Sequence, residues 1–368
     1  MFPRDVLSTG ALLLRPSAES DAGFLAAAGD DPEIARFFFR WPSPFTLQAA
    51  REHLRGAAER WALGGADYAI TRDGAHLGAI TLSPVDDWGT CAIGYWVAPS
   101  AQGQGVAAQA VRALTDWALD HGALRVELEA EVENLASLRT AYKAGFQQEG
   151  IRREARVRRD GVRVDLVLFS RVPGDPGVPA ERYLPPFPGG RLDDGVVRLV
   201  PLGAEHTEDL HALFTEPSVA GFAPVTAPPL HEMERRCRYT GYYWLSGQRV
   251  EVAVTDATSG AFAGHLQLRQ VAPVTAQATL GYSLVPGFRG RGFISRALAL
   301  VVDWAFSATR LRRITAGTDV ANAASQRVLE RAGFTRVRTH RGLLPVPGSE
   351  EWKDDVEWVL LHPKLRER

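Results

Sequence analysis

Two copies of one sequence stand in this chain: GYWVAPSAQGQGVAAQAVRALTDWA, which begins at Gly94, and GYSLVPGFRGRGFISRALALVVDWA, which begins at Gly281. After a short apolar segment, each copy continues with a second shared phrase. The phrase is ENLASLRTAYKAGF ending at Phe146 in the first copy, and ANAASQRVLERAGF ending at Phe334 in the second. A repeat with such a long period predicts two copies of one domain and not a solenoid.

Each copy predicts a glycine turn, a helix, a strand, a second helix and a closing strand. The helix after the turn is predicted because apolar residues recur on one of its faces. In the first copy these residues are Ala107, Ala110, Val111, Leu114 and Trp117. Further apolar strands precede the turn. We therefore expect the α/β (α+β) class, with a mixed sheet and helices on both faces in each half.

A segment rich in proline and glycine, VPGDPGVPAERYLPPFPGG, separates the two copies. Its composition predicts an extended and fairly stiff connector. We expect a first domain at 1–175, a linker at 176–192 and a second domain at 193–368.

The composition is that of an ordinary globular protein. Of the 368 residues, 45% are hydrophobic and 23% are charged, and the formal net charge of -1 gives no general attraction to nucleic acid or to a membrane. Cys91 and Cys237 have no CxxC spacing, and Arg235 replaces the second histidine of a zinc HExxH motif, so no metal is expected. Without a secretory signal or a membrane-length apolar stretch, we expect a cytoplasmic protein.

The glycine turn from Gln102 to Ala107 suits a diphosphate. Glycines let backbone N–H groups approach an anion closely, because no Cβ intervenes. The helix that follows directs its unpaired N–H groups and its positive dipole end at the same anion. No Gly-Lys-Ser/Thr follows, so the turn is not a Walker loop.

The turn, the helix, the strand and the Asn-x-x-Ser phrase before Gly-Phe together resemble the GNAT acyltransferases. The coenzyme A pyrophosphate loop of that family has the form Q/R-x-x-G-x-G/A. The Asn-x-x-Ser phrase and the closing strand VDLVLFSRV from Val164 are similar to the Rim-type branch, which includes ribosomal-protein N-terminal acetyltransferases. The resemblance implies two tandem GNAT-like domains, each with a mixed, mostly antiparallel sheet, and acetyl-CoA as cosubstrate.

The resemblance also implies coenzyme A contacts in both copies. The implied residues are Val97, Gln102, Gly103, Gln104, Gly105, Val106, Ala107, Asn134, Arg289, Gly290, Arg291, Gly292 and Asn322. The two asparagines match one near the pantetheine arm, and a helix N-cap is an equally good interpretation of them. Ile294 stands where the family pattern has glycine or alanine, and its side chain is expected to crowd the phosphates unless it turns into the core. We therefore expect the first domain to be the better cofactor site, and the second to be either a second active site or a degenerate scaffold.

A dinucleotide-binding fold is the competing interpretation of the turn. Gly103, Gly105 and Ala108 fit G-x-G-x-x-A, and an acidic residue follows at a suitable distance. In the second copy, however, Ser295 takes the third position of that motif. The turn also comes late in each half instead of after its first strand, so we favour the GNAT interpretation.

The position of the family's proton donor is changed in both copies. A tyrosine four residues before the Gly of Gly-Phe often protonates the leaving thiolate in the family, but Ala141 and Leu329 stand there. Ser137 and Ser325, which match the serine of the Rim-type branch, are the candidates to donate this proton. Tyr142 lies one place late, about 100° around the helix, so we expect it to pack.

Alternating glutamates follow the repeated helix. Glu127, Glu129 and Glu131 share one face of the strand RVELEAEVE. Glu127 and Glu129 are the candidates to take a proton from an amine, directly or through water, unless this face is simply solvated. The second copy has only Asp319 among the equivalent positions, so the carboxylates again favour the first domain.

We expect an N-acetyltransferase that acts on a primary amine. An α-amine titrates near 7.7–8.0 and a lysine near 10.4, so freeing a lysine amine at neutral pH costs about 3–4 kcal/mol more. This favours a peptide or protein N-terminus, or a small-molecule amine such as an antibiotic. A non-catalytic coenzyme A sensor or scaffold is the alternative. We expect no nucleic-acid or membrane partner, and a monomer whose halves pack as an internal pseudo-dimer, with a homodimer also open.

Overall fold

One sheet lies at the centre of each of two compact units. The computed structural model describes residues 2–37 and 41–366, and its units are Met1–Glu181 and Arg182–Arg368. Each unit contains one mixed sheet of eight strands with helices against it, which confirms the fold class expected from the sequence. Leu184 and Phe187, from the proline-rich segment, are buried in the core of the second unit. The expected domain limits stay a prediction.

Eight strands form the sheet of the first unit. They are β1 (Leu7–Thr9), β2 (Leu12–Pro16), β3 (Ala66–Arg72), β4 (Ala75–Leu82), β5 (Thr90–Val97), β6 (Arg125–Glu131), β7 (Gln147–Val157) and β8 (Arg163–Arg171). Their order is β1-β2-β3-β4-β5-β6-β8-β7. All neighbours are antiparallel except β5 and β6, which are parallel.

Five helices cover this sheet. They are α1 (Ala22–Gly29), α2 (Pro32–Phe37), α3 (Leu47–Ala62), α4 (Val106–Asp120) and α5 (Leu135–Lys143). The stripe predicted for α4 is buried at Ala110, Val111, Leu114 and Trp117. At its end the Trp117 ring packs against Phe2, with ring centroids 4.9 Å apart. This apolar contact fixes α4, and therefore the glycine turn before it, on the sheet.

The second unit repeats the plan with eight more strands. They are β9 (Leu192–Asp193), β10 (Val197–Pro201), β11 (Val250–Asp256), β12 (Phe262–Ala272), β13 (Gln277–Leu284), β14 (Arg313–Asp319), β15 (Thr335–Pro345) and β16 (Trp352–Leu361). Their order is β15-β16-β14-β13-β12-β11-β10-β9. Only β13 and β14 are parallel neighbours.

The helices of the second unit follow in the same sequence. They are α6 (Thr207–Thr215), α7 (Pro217–Ala220), α8 (Leu230–Leu245), α9 (Phe293–Ala308), α10 (Ala323–Arg331) and the short α11 (Pro363–Arg366). In the part of the chain that the structure describes, no helix combines the length and the apolar character needed to cross a membrane.

The parallel strands separate before they end. In the first unit β5 and β6 pair over only three positions, the last of which joins Ala92 to Glu127. Beyond that rung β5 continues to Val97 and β6 to Glu131, with no ladder between them in the described residues. In the second unit β13 and β14 pair over four positions, as far as Leu280 and Ala316. The diverging strands leave a cleft in the middle of the first sheet.

Candidate active site

A loop with open backbone N–H groups joins β5 to α4. Gly103 (φ +73°) and Gly105 (φ +79°) are both in the left-handed region, which glycine adopts without the cost that a Cβ brings. Gly105 is the N-cap of α4 and makes no side-chain cap. Within residues 2–37 and 41–366, no acceptor takes a hydrogen bond from the N–H groups of Gly103, Gln104 or Gly105. Free donors at a helix N-terminus are an arrangement that binds anions.

Side chains tie this loop to the preceding residues and leave its backbone open. Gln102 Nε2 donates to the carbonyl of Val97 at 3.3 Å, and Gln104 Nε2 donates to that of Ser100 at 2.9 Å. Val106, the first residue of α4, is buried in the core and fixes the start of the helix. These contacts hold the loop in place without using its backbone N–H groups.

The second unit has the same loop between β13 and α9. Gly290 (φ +72°) and Gly292 (φ +79°) repeat the two left-handed positions. Arg289 donates to the carbonyl of Leu284 at 3.3 Å, which repeats the side-chain bond of the first loop. Ile294 packs against the core of the second unit. This packing favours the alternative in which the side chain turns into the core and does not crowd the phosphates.

The cleft in the first unit has a volume of about 1060 Å³ and opens where β5 and β6 diverge. Residues in register on parallel strands point to the same side, so Gly94 and Trp96 share a face with Glu127 and Glu129. We call this side of each sheet the carboxylate face. Tyr95 points to the opposite side, where α4 and α5 pack. All five of these residues line the cleft.

Arginines accompany the glutamates of the carboxylate face. Arg125 donates to Oε1 of Glu127 at 2.7 Å. Arg152 bonds Oε1 of Glu129, and Arg156 lies 3.8 Å from its Oε2. Among the described residues, none bonds Oε2 of Glu127. Of the two predicted bases, Glu127 therefore has the freer oxygen.

The buried Glu131, by contrast, serves the structure. Its side chain is 1% exposed, and Arg158 lies 2.6 Å from its Oε2. Arg158 stabilises this carboxylate through Oε2, whereas Oε1 has no hydrogen-bond partner among the described residues and Glu131 lines the cleft.

Ser137 reaches the cleft from the first turn of α5. Asn134 Oδ1 accepts a hydrogen bond from the Ser137 N–H at 3.0 Å, so Asn134 is the N-cap of this helix. Asn322 Oδ1 accepts from Ser325 N–H at 3.1 Å in the second unit. The capping interpretation therefore holds for both asparagines. Both Asn134 and Ser137 still line the cleft.

The sequence reasoning missed a tyrosine in each unit. The hydroxyl of Tyr95 lies 2.8 Å from Ser137 Oγ, and that of Tyr282 lies 2.7 Å from Ser325 Oγ. The signal was the Gly-Tyr dipeptide that opens both copies of the repeat. Tyr142 bonds Gln148 at 2.5 Å, and its ring packs edge-on against Phe169 at 5.1 Å. Tyr142 therefore packs as expected, and the phenol beside Ser137 is that of Tyr95 on β5.

The two units differ on the carboxylate face. Aligning Pro32 with Pro217 places Gly29 of the first unit at the position of Phe214 in the second. The register of the strands places Ala79 of the first unit at the position of His265 in the second. Ala79 lines the cleft. His265 is 1% exposed, and its ring packs edge-on against Phe214 at 5.7 Å. The larger His265 thus stands in the second unit where Ala79 lines the cleft in the first, whereas the space beside Gly29 is already taken by the ring of Phe45.

The second unit has an additional buried carboxylate that the repeat did not reveal. Asp355 on β16 lies beside Gly317, where an added Cβ would come within 2.9 Å of both carboxylate oxygens. Burial raises the pKa of Asp355 to about 6. Asp319 is the one carboxylate at the positions equivalent to the three glutamates, as the sequence indicates, and the neighbouring strand adds Asp355 beside Gly317.

The described part of the chain contains no candidate metal site. There, no group of three or more His, Cys, Asp or Glu residues could hold a metal ion. Cys91 and Cys237 are both buried free thiols.

Comparison with known proteins gives a family match in both units. A family model described as "Acetyltransferase (GNAT) domain" matches residues 11–147 and 197–335. The match covers the open loop, the diverging strands and the serine helix of each unit.

Individual relatives match segments of this chain that are shorter than one unit. The chain is 31% identical over 142 residues to the probable N-acetyltransferase YjcK of Bacillus subtilis (strain 168), covering 34% of this chain and 77% of that protein. It is 30% identical over 122 residues to the ribosomal-protein-serine acetyltransferase of Escherichia coli (strain K12), covering 33% of this chain and 64% of that protein. The chain thus spans just under two thirds of the second relative.

Solved structures also resemble parts of this chain. RimJ of Mycobacterium smegmatis in complex with CoA-disulfide is 23% identical, with a TM-score of 0.44 over 47% of this chain and 90% of that chain. A RimL ribosomal L7/L12 alpha-N-protein acetyltransferase in complex with coenzyme A is 24% identical, with a TM-score of 0.43 over 46% of this chain and 98% of that chain.

Proposed function

This chain belongs to the GNAT acetyltransferase family and is an acyltransferase, and we propose that its first unit acetylates the N-terminal amine of a peptide or protein, with acetyl-CoA as donor. One observation carries the proposal. The first unit combines an open anion-binding loop with a wide cleft that has carboxylates on one side and a serine hydroxyl on the other.

The donor set of the first unit fits acetyl-CoA. A Cβ added at Gly103 would meet no atom within 4 Å, so the space over the loop N–H groups is open to a diphosphate. Within the described residues, the side of β5 that faces away from β4 has no strand beside it from Ile93 to Val97, and such an edge can pair with the amides of a pantetheine arm. When bound, acetyl-CoA supplies an activated acetyl thioester.

One side of the cleft would then take up the amine proton, and the other would stabilise the negative charge on sulfur. A water held by the free Oε2 of Glu127 would take the proton from the attacking amine, with Glu129 beside it. Ser137 Oγ would donate a hydrogen bond to the sulfur on the opposite side of the sheet. The same roles fall to Asp355 and Ser325 if the second unit also turns over.

The amine is proposed to be an N-terminal one. A water-mediated carboxylate base suits an amine with a pKa near neutrality better than a lysine, which costs about 3–4 kcal/mol more to deprotonate. The E. coli relative is named as an acetyltransferase of a ribosomal-protein serine, which supports the same class. A small-molecule amine such as an aminoglycoside is the other acceptor to test.

The second unit is proposed to bind acetyl-CoA without an acceptor. Its loop has the same backbone conformation as the first, but Phe214 and His265 fill its carboxylate face. The packed Phe214 and His265 favour a unit that binds the cofactor but not an acceptor, because the loop that would hold the cofactor is intact.

Release of coenzyme A thiol with an amine panel tests the proposed acceptor. The panel contains a peptide with a free N-terminal serine, the same peptide with a blocked N-terminus and one lysine, and an aminoglycoside. We expect turnover with the free N-terminus and at most about one hundredth of it with the lysine peptide. Faster turnover with the aminoglycoside would mean that the acceptor is a small molecule and not a peptide. Binding of acetyl-CoA without turnover on any amine would mean that the protein is a coenzyme A sensor.

Substitution of Glu127 separates the two candidate bases. Glu127→Gln is expected to lower kcat by about 100-fold, because the oxygen free to hold a water is lost. Glu129→Gln should cost less, since both of its oxygens already face arginines. Glu149→Gln is the matched control, because Glu149 also pairs with Arg125 but lies outside the cleft lining. An equal loss in Glu127→Gln and Glu149→Gln would mean that only the position of Arg125 matters.

A further inference from the structure

The tyrosine–serine contact is the feature that both units keep while their carboxylate faces differ. In each unit a phenol on the diverging strand, Tyr95 or Tyr282, meets the hydroxyl of a serine at the start of the next helix, 2.8 Å and 2.7 Å away. The partners are 42 and 43 residues apart in the chain. A contact between two elements that recurs in both copies, beside both open loops, calls for a common explanation.

We propose that Tyr95 and Tyr282 are positioning residues: each phenol donates its hydrogen bond to the serine Oγ, so that the serine's own proton points into the cleft toward the sulfur of bound coenzyme A. This inference rests on the proposed function, because it assumes that coenzyme A occupies the loop and the cleft. The family's usual tyrosine position holds Ala141 and Leu329 in this chain, and in the proposal a phenol from another strand acts through Ser137 or Ser325.

Either oxygen of each pair could donate by distance alone, and the proposal assigns the donated proton to the phenol. Burial raises the pKa of Tyr95, and burial raises that of Tyr282 to about 12, so both phenols keep their protons. Thr140 is a second hydrogen-bonding neighbour of the Tyr95 phenol, and its own hydroxyl proton is directed to the Ala136 carbonyl at 3.0 Å. Tyr282 has one other acceptor within reach, the Ser325 carbonyl, but at the longer distance of 3.3 Å.

The serine hydroxyl has one proton and can rotate. A serine in a first helical turn can direct that proton to a local backbone carbonyl. Once Oγ accepts from the phenol, the hydroxyl proton must point elsewhere. In the described residues Ser137 Oγ has no second partner, and the residue lines the cleft. The free direction is therefore the one available to a ligand.

The chemistry that this bond serves balances simply. The amine nitrogen forms a bond to the acetyl carbon, the carbon–sulfur bond breaks, and its electron pair goes to sulfur. The nitrogen loses one proton through water on the carboxylate face, and sulfur gains one from solvent. The serine O–H stabilises the negative sulfur before it is protonated. No proton leaves the tyrosine.

Titration of the thiol of bound coenzyme A tests the inference without turnover. The Gly292→Trp background restricts binding to the first unit, calorimetry first establishes the binding, and ultraviolet absorbance then follows the thiolate against pH. A donated hydrogen bond favours the thiolate, so we expect Tyr95→Phe to raise the pKa of the bound thiol by about one pH unit. Ser137→Ala should raise it equally, and the double variant should raise it no further.

Tyr142→Phe is the matched control, since Tyr142 lies on the same helix but bonds Gln148. It should leave the thiol pKa unchanged, and Tyr282→Phe in the Gly105→Trp background should repeat the result in the second unit. A thiol pKa that Tyr95→Phe does not move, or that Tyr142→Phe moves as much, overturns the inference alone. Absence of coenzyme A binding in calorimetry would instead remove the proposed function, and the inference with it.

Discussion

A Gly105→Trp variant is expected to lose acetyl-CoA binding at the first unit, with a dissociation constant raised by about 100-fold or more. An indole at this position would lie over the N–H groups that begin α4. The nearest atom to a Cβ there is Gln109 Nε2 at 3.6 Å, so the side chain has room outside the core. The positive φ of +79° costs on the order of 1 kcal/mol for any residue with a Cβ, which a whole domain tolerates.

Gly292→Trp is the matched variant for the second unit. Gly292 has the same φ of +79°, and a Cβ there would meet no atom within 4 Å, so both variants carry the same backbone cost. Calorimetry should give two acetyl-CoA molecules per wild-type chain and one in each variant. Acetyl transfer should disappear only in Gly105→Trp. Complete loss of binding in Gly292→Trp, with Gly105→Trp binding as wild type, would contradict the assignment of the active unit.

The loops and the helices behind them were predictable because they are local. Glycine spacing and a one-sided apolar stripe depend on neighbours within a few residues, and the repeat marked them twice. The burial of Ala110, Val111 and Leu114 follows directly from that stripe. The direction of Ile294 was less predictable, because a residue in the first turn of a helix can face either the core or the loop.

The partners of the site residues were not predictable, because they come from distant segments. Tyr95 meets Ser137 only because β5 and α5 pack side by side, and Arg152 reaches Glu129 from a strand two positions away in the sheet. Asp355 occupies the space beside Gly317 for the same reason. A sequence states which groups exist, whereas the fold decides which of them share a space.

The filled carboxylate face of the second unit depends on one acidic residue. Glu251 is equivalent to Asp67 of the first unit and its side chain is fully buried. Arg236 lies 2.6 Å from its Oε2, Arg249 lies 3.1 Å from its Oε1, and His265 lies 2.9 Å from its Oε2. Burial lowers the pKa of His265, which favours the neutral ring. Glu251 is therefore the buried counter-charge for two partly exposed arginines.

The pH dependence of this cluster follows from its pKa. Burial alone would raise the pKa of Glu251, but the His265 hydrogen bond and the charge of Arg236 lower it to about 2. Because the folded value lies below the ordinary value of 4.5, the ionised group stabilises the folded state above pH 4.5. That contribution is lost as the pH falls toward 2.

Glu251→Gln is expected to destabilise the second unit by about 3 kcal/mol at pH 7, because two partly exposed guanidinium groups lose their buried counter-charge. The loss should shrink between pH 5 and pH 3. Hydrogen exchange read by mass spectrometry resolves the units, so β11 and β12 should exchange faster while β3 and β4 stay as in wild type. Glu234→Gln, which breaks an exposed pair with Arg238, is the control and should cost less than about 1 kcal/mol. If Glu251→Gln and Glu234→Gln showed equal hydrogen-exchange protection, the Glu251 cluster would not stabilise the second unit.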